Sequence, residues 1–121
     1  MVKKRIFLLN GHPARSSLSH HFAEIYAAAA QEAGHELRVM HLHDLHFDAD
    51  FGFGGFSRTK PLERDLEQTL EALRWCTHFV LVTPLWWGGL PAKLKGLMDR
   101  ILLPGTAFDP RTLKMGLPAP L

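Results

Sequence analysis

Two unbroken apolar runs, Ile6-Phe7-Leu8-Leu9 and Phe79-Val80-Leu81-Val82, constrain the fold of this chain more than any other feature. Four apolar residues in a row, with no polar alternation, read as a strand covered on both faces, the habit of strands in a parallel sheet. Each run ends in a turn and then gives way to helical spacing. Asn10-Gly11-His12-Pro13 leads to Leu18, Phe22, Ile25 and Ala29, with an alanine-rich filling and a stop at Gly34. Thr83-Pro84-Leu85-Trp86-Trp87-Gly88-Gly89-Leu90-Pro91 leads to a helical pattern over 91–102, with Pro91 suited to its first position. Strand, turn and helix in that order predict right-handed crossovers and an α/β sheet.

Between these units Leu37, Val39 and the residues up to Leu42 form a shorter strand that alternates with charge, as an edge strand does. Leu62, Leu66, Leu70 and Leu73 mark a further helix, with Glu and Arg on its other side. The whole, residues 1–121, is therefore expected to be one α/β domain of order β-α-β-α-β-α, a parallel sheet with strands in the order 2-1-3. Residues 44–61 lack any period, and Phe47, Phe51, Phe53 and Phe56 with Gly52, Gly54 and Gly55 make them an aromatic-rich loop. Residues 103–121, with Pro104, Pro110, Pro118 and Pro120, are expected to form no further element. That leaves the apolar third strand as an outer edge, an aggregation hazard. Further strands are accordingly expected after residue 121, and the isolated 121-residue polypeptide is expected to be poorly stable or to associate through that edge.

Composition narrows the function classes. A formal charge of +2, with Lys3-Lys4-Arg5 as the only basic run, gives no footprint for nucleic acid. The four apolar residues behind that run are too few for a signal core or a membrane span. Cys76 is the one cysteine, so no internal disulfide forms, which fits a cytoplasmic chain.

The chemistry is concentrated in the two turns. In an open α/β sheet, ligands bind at the carboxyl ends of the strands, where both turns lie. Ser16, Ser17 and Ser19 precede or open the first helix, whose unpaired N–H groups and positive dipole end suit a phosphate; His12 and Arg15 add charge. A plain serine N-cap and a solvated turn explain the same residues. Trp86 and Trp87 beside Gly88 and Gly89 form an aromatic wall that a planar cofactor would cover. Together, a phosphate cradle and an aromatic wall suit a flavin nucleotide.

At these residues the chain resembles the flavodoxin-like NAD(P)H:quinone oxidoreductases, the group of mammalian quinone reductase, bacterial drug-activity modulators and potassium-efflux ancillary reductases. The resemblance is carried by Gly11-His12-Pro13 followed by Ser17-Leu18-Ser19, by Leu45-His46-Phe47-Asp48, and by Pro84 through Gly96, continuing to Asp99-Arg100 and Gly105-Thr106-Ala107-Phe108. It implies that His12, Ser17, Leu18 and Ser19 hold the phosphate of FMN or FAD, and that Pro84, Leu85, Trp86, Trp87 and Gly88 line the ribityl chain and ring. It implies a two-electron reduction of quinones or related electrophiles by NAD(P)H through flavin N5, in a homodimer. The chemistry in that reading is the cofactor's, and no acid–base residue is singled out. Members of the family continue into two more strands and a glycine-rich loop. A noncatalytic interaction module, such as an ancillary subunit, would use the same loops.

Other residues weigh less. His41, His43 and His46 surround a strand end but lack a cysteine or a second spaced cluster, so no metal is expected. Gly52-Phe53-Gly54-Gly55 is no dinucleotide fingerprint, having no strand before it. The phenylalanines there would close over a flavin, meet a second subunit or simply pack. Trp75 and Cys76 are expected to pack inward, and Lys93 and Lys95 to form a solvated helix face.

Overall fold

The computed structural model describes residues 2–55, 57–109, 111 and 119–120. Phe56, Pro110 and Pro118, assigned above to a loop and a tail, lie outside them. Strand β1, Arg5–Asn10, is the centre of a three-stranded parallel sheet. It pairs with β2, Glu36–His41, from Arg5 against Glu36 to Asn10 against His41. On its other side it pairs with β3, His78–Val82, from Ile6 against His78 to Asn10 against Val82. The order is β2-β1-β3, as the apolar runs predict.

The double cover predicted for both runs holds for β1 alone, where Ile6 to Leu9 are buried throughout. In β3 the residues are half-buried or exposed, and Phe79 is 39% exposed. With one strand neighbour, β3 has less of its surface covered; among the described residues no strand pairs with its outer edge. Beneath it an apolar hollow of ≈ 270 Å³ opens between Phe7, Leu73, Phe79, Met98 and Leu102.

Among the described residues, three helices flank the sheet: α1 (Leu18–Glu32), α2 (Arg64–Trp75) and α3 (Ala92–Ile101). Alternate side chains of a strand point to opposite faces. Phe7 and Leu9 therefore meet Leu66, Leu70, Leu94, Leu97 and Ile101 of α2 and α3 in the main core, while Ile6 shares the other face with Tyr26, Ala29 and Ala30 of α1. The apolar period in α1 marks the wrong side of that helix. Leu18, Phe22 and Ile25 are all more than half exposed, and the residues turned inward are Ser19, Ala23 and Ala30. Small side chains let the helix lie close on the sheet, and the larger stripe faces outward.

Boundaries shift where local geometry decides. Strand β2 stops at His41, and Leu42, fully buried, opens a 3-10 turn through Asp44. Leu62 lies before α2 rather than in it. Pro91 is the N-cap of α3, one place earlier than expected: its carbonyl accepts the first helical bond, from Lys95 N at 2.9 Å. The tail is not featureless as predicted. Phe108–Asp109 (β4) and Ala119–Pro120 (β5) pair antiparallel, a ladder too short for any alternation to show. Trp75 is half-buried beneath the Arg38 guanidinium, 4.3 Å from its ring centre, rather than packed inward, and Cys76 is half-buried.

The long loop is anchored by charges that sequence periodicity hides. Arg100, only 1% exposed, donates to the Glu63 carboxylate at 2.8 Å and to the Pro61 carbonyl at 3.0 Å, and also reaches the Asp48 carbonyl. Lys93 is not on a solvated face: its Nζ donates to the Leu45 carbonyl at 2.9 Å and sits over Phe47. Lys95 does face solvent, paired with Asp99.

Arg100's hydrogen bonds hold the Glu63 carboxyl below its ordinary pKa, against an opposing push from burial and with help from the Asp48 N–H. A carboxyl depressed in the fold adds stability that is complete above its unfolded value and is lost as pH falls through its folded one. Stability is therefore expected to be level near neutrality and to fall below about pH 4.3. Glu63→Gln should flatten part of that fall, read as urea midpoints across the acid range. Superimposable pH profiles for the two proteins would remove Glu63 from the acid response.

Candidate functional site

The loop after β1 and the loop after β3 leave adjacent strands at the same end of the sheet. They are tied at their roots: Gly11 N donates to the Val82 carbonyl at 2.8 Å. Gly11 threads a narrow passage, since a Cβ there would lie 2.6 Å from Leu94 Cδ2 and 3.3 Å from Thr83 Cβ. Farther out, the His12 ring meets Trp86 edge-on, with centroids 5.3 Å apart at 85°.

The first loop is shaped by its own polar groups. Asn10, fully buried, accepts from His12 N at 3.2 Å, and His12 Nδ1 accepts from Ala14 N at 2.9 Å. Ser17, in extended backbone, caps α1 by accepting from His20 N at 3.0 Å. Helix geometry leaves the N–H groups of Leu18 and Ser19 without an intrahelical acceptor, at the positive end of the dipole. Of the charges expected here, Arg15 pairs with Asp44 at 3.0 Å, an exposed ion pair that holds the guanidinium only weakly. The Leu18 side chain is exposed and offers this cradle only its backbone.

The second loop is a tight two-residue reversal. Trp86 and Gly89 exchange both backbone hydrogen bonds, at 2.9 and 3.0 Å, around Trp87 (φ 50°) and Gly88 (φ 74°). Positive φ at both central positions defines a type I′ turn, which glycine fits and tryptophan does not. A bulky residue there costs about 1–2 kcal/mol. The turn thereby holds the Trp87 side chain fully in solvent, with Leu85 at 76% and Trp86 at 44% exposure beside it and Pro84 half-buried at the root. An apolar patch kept exposed by a strained backbone is a binding-surface signature. The predicted residues thus fall in two clusters, His12 with Ser17 to Ser19 and Pro84 to Gly88, and the ring contact joins them. The arrangement sets a helix start with unpaired N–H groups on the same side of the sheet as a platform of exposed indoles.

One constellation was only half visible in the sequence. His41 and His43 do converge, but the third imidazole is His20 of α1, not His46. His46 is exposed, and its backbone N–H is taken by Asp65 at 2.7 Å. The rings of His20, His41 and His43 are stacked, with centroids 4.5 to 5.6 Å apart. Burial, followed by the neighbouring His20 and His43, lowers the His41 pKa from its ordinary value and favours its neutral form. A histidine in the first turn of a helix, 21 residues before His41, gives no spacing signal.

Fold and candidate site together describe an open α/β protein whose two candidate loops lie at the carboxyl edge of its sheet, where such folds bind ligands. The chain belongs to the family of flavodoxin-like fold proteins, whose model matches residues 4–119. Among curated relatives, it is 29% identical over 112 residues to the uncharacterized NAD(P)H oxidoreductase YcaK of Escherichia coli strain K12, covering 89% of this chain and 57% of that protein. It is 23% identical over 128 residues to the ribosyldihydronicotinamide dehydrogenase [quinone] of Rattus norvegicus, covering 90% of this chain and 55% of the relative. Among solved structures, the NAD(P)H:quinone oxidoreductase from Methanothermobacter marburgensis superposes with a TM-score of 0.72 at 28% identity, over 88% of this chain and 57% of that one. The chain thus spans about half the length of the curated relatives it matches. Among the described residues no helix is long and apolar enough to cross a membrane.

Proposed function

We propose that this chain forms the flavin-binding part of an NAD(P)H oxidoreductase that reduces quinones or related electrophiles by two electrons. The observation that carries the reading is the contact between His12 and Trp86, which joins a helix start to an exposed indole platform at one sheet end. The names of the relatives, NAD(P)H oxidoreductase and quinone-linked dehydrogenase, support the reaction class. When bound, FMN or FAD would supply hydride acceptance and donation at N5.

The chain's own residues bind and orient. Ser17, with the N–H groups of Leu18 and Ser19, would hold the phosphate, and His12 would flank it. Pro84, Leu85, Trp86, Trp87 and Gly88 would line the ribityl chain and ring and exclude water from one side. The side of the site that these residues leave open would admit the nicotinamide and then the acceptor. The reading includes a cytoplasmic location and pairing of two copies; the outward stripe of Leu18, Phe22 and Ile25 supports such a contact.

Titration of the purified chain with FMN and with FAD, followed by quenching of flavin fluorescence, tests the proposal. Binding is expected, and Trp87→Ala should weaken it about tenfold, the order of one lost aromatic stack. Trp75→Ala, remote from the platform, should leave it unchanged. No quenching by either flavin would overturn the reading, and equal losses in the two variants would reduce the tryptophan turn to packing.

A further inference from the structure

His20, His41 and His43 come from three separate elements, the first turn of α1, the end of β2 and the 3-10 turn, yet each offers a ring nitrogen within 4.8 Å of the other two. Their proton positions follow from their partners. Glu24 Oε1 lies 2.9 Å from His20 Nε2, and Asp44 Oδ1 lies 3.1 Å from His43 Nδ1. Carboxylates only accept, so these two ring nitrogens carry the protons. With one proton on each ring, His20 Nδ1 and His43 Nε2 are the bare nitrogens, and they lie 3.4 Å apart. Two acceptors in that arrangement repel unless something positive lies between them.

Asn10 orients the third ring. Its Oδ1 takes the His12 N–H, which fixes the amide, and its Nδ2 lies 3.1 Å from His41 Nδ1 and 3.4 Å from His20 Nδ1. The lone pairs of His20 and His41 therefore aim at one donor, which a cation can replace. Two ligands at about 2.05 Å from a tetrahedral ion stand about 3.3 Å apart, close to the 3.4 Å between His20 and His43, while the full set lies within 4.8 Å and would tighten around the ion. Octahedral or square-planar ions would bring neighbouring ligands to about 2.9 Å. Glu24 and Asp44 behind the rings complete the carboxylate–histidine arrangement typical of zinc sites and offset a divalent charge, although Arg15 shares Asp44.

We propose that His20, His41 and His43 form a binding site for a tetrahedral divalent metal ion of the zinc type, with an exchangeable fourth position. Such an ion would fasten the first turn of α1, and so the loop from Asn10 to Ser17, to the end of β2. The inference does not depend on flavin binding.

The purified full chain, stripped with a chelator, would be titrated with Zn²⁺ by calorimetry and with Co²⁺ by visible absorption. One equivalent of Zn²⁺ should bind, Co²⁺ should develop the intense bands of tetrahedral coordination, and Zn²⁺ should shift the imidazole proton resonances of the three histidines. His20→Ala should abolish binding, and Glu24→Gln, at an exposed position, should weaken it about tenfold. His46→Ala should have no effect. Should a variant fail to fold, the resonance shifts in the unaltered protein still decide. Imidazole resonances that move with pH but not with Zn²⁺ would mean that the lone pairs share only a proton, and would overturn the site. Binding unchanged in a folded His20→Ala variant, or lost equally in His46→Ala, would overturn it too.

Discussion

Replacing Arg100 with leucine should lower the stability of the chain by about 3 kcal/mol, near the lower end of what removal of one member of a buried ion pair costs. The guanidinium is almost wholly inaccessible and serves two backbone carbonyls, of Asp48 and Pro61, besides the Glu63 carboxylate. Leucine leaves the two carbonyls without this donor and Glu63 with the Asp48 N–H alone. Glu63, whose side chain is 36% exposed, can recover water, which keeps the loss from being larger. Arg100→Lys should restore only a minor part, because an ammonium cannot span the fork of acceptors. Urea unfolding followed by circular dichroism measures the difference. A loss below about 1 kcal/mol, the range of an exposed ion pair, would mean that the loop stands on its other contacts.

Ser17→Asp should abolish most flavin affinity while leaving the fold as stable as before. Aspartate caps a helix as well as serine does and favours the positive dipole end, so α1 keeps its start. Its carboxylate, however, would occupy the position proposed for a flavin phosphate. Two unit charges 4 Å apart repel by about 4 kcal/mol at a partly screened site, enough to weaken binding on the order of 100-fold or more. Thermal melting and flavin titration are both needed. Unchanged FMN affinity in a normally melting variant would move the phosphate away from this helix start; a fall in melting temperature would show that Ser17 does more than cap.

Much of the frame could be read from sequence because its signals are local. Ile6 to Leu9 and Phe79 to Val82 announce strands by lacking alternation, and the turns behind them carry the glycine, proline and indoles that set the candidate site. Where contacts across the fold decide, the reading fails. The stripe of Leu18, Phe22 and Ile25 has a helical period, but period alone does not say which face the sheet accepts, and the sheet accepts the small residues. Arg100 resembles any surface arginine until Asp48 and Glu63 are brought beside it. His20 lies far in sequence from His41 and His43, and only parallel pairing of β1 with β2 makes them neighbours.

The strand order also fixes when the candidate site comes into existence. Strand β1 finds β2 about 30 residues downstream and β3 about 70 downstream, and the longer closure costs about 0.7 kcal/mol more in chain entropy. During synthesis the β1–β2 pair can close while β3 is still inside the ribosome. The two loops hang from β1 and β3, so the candidate site is assembled by the longer of the two closures. A ligand spanning both loops sees only the finished sheet; at 100 times its dissociation constant it contributes about 2.7 kcal/mol, several times that entropic handicap. A flavin bound across both loops, as proposed, would therefore hold the longer closure in place as well as occupy the candidate site.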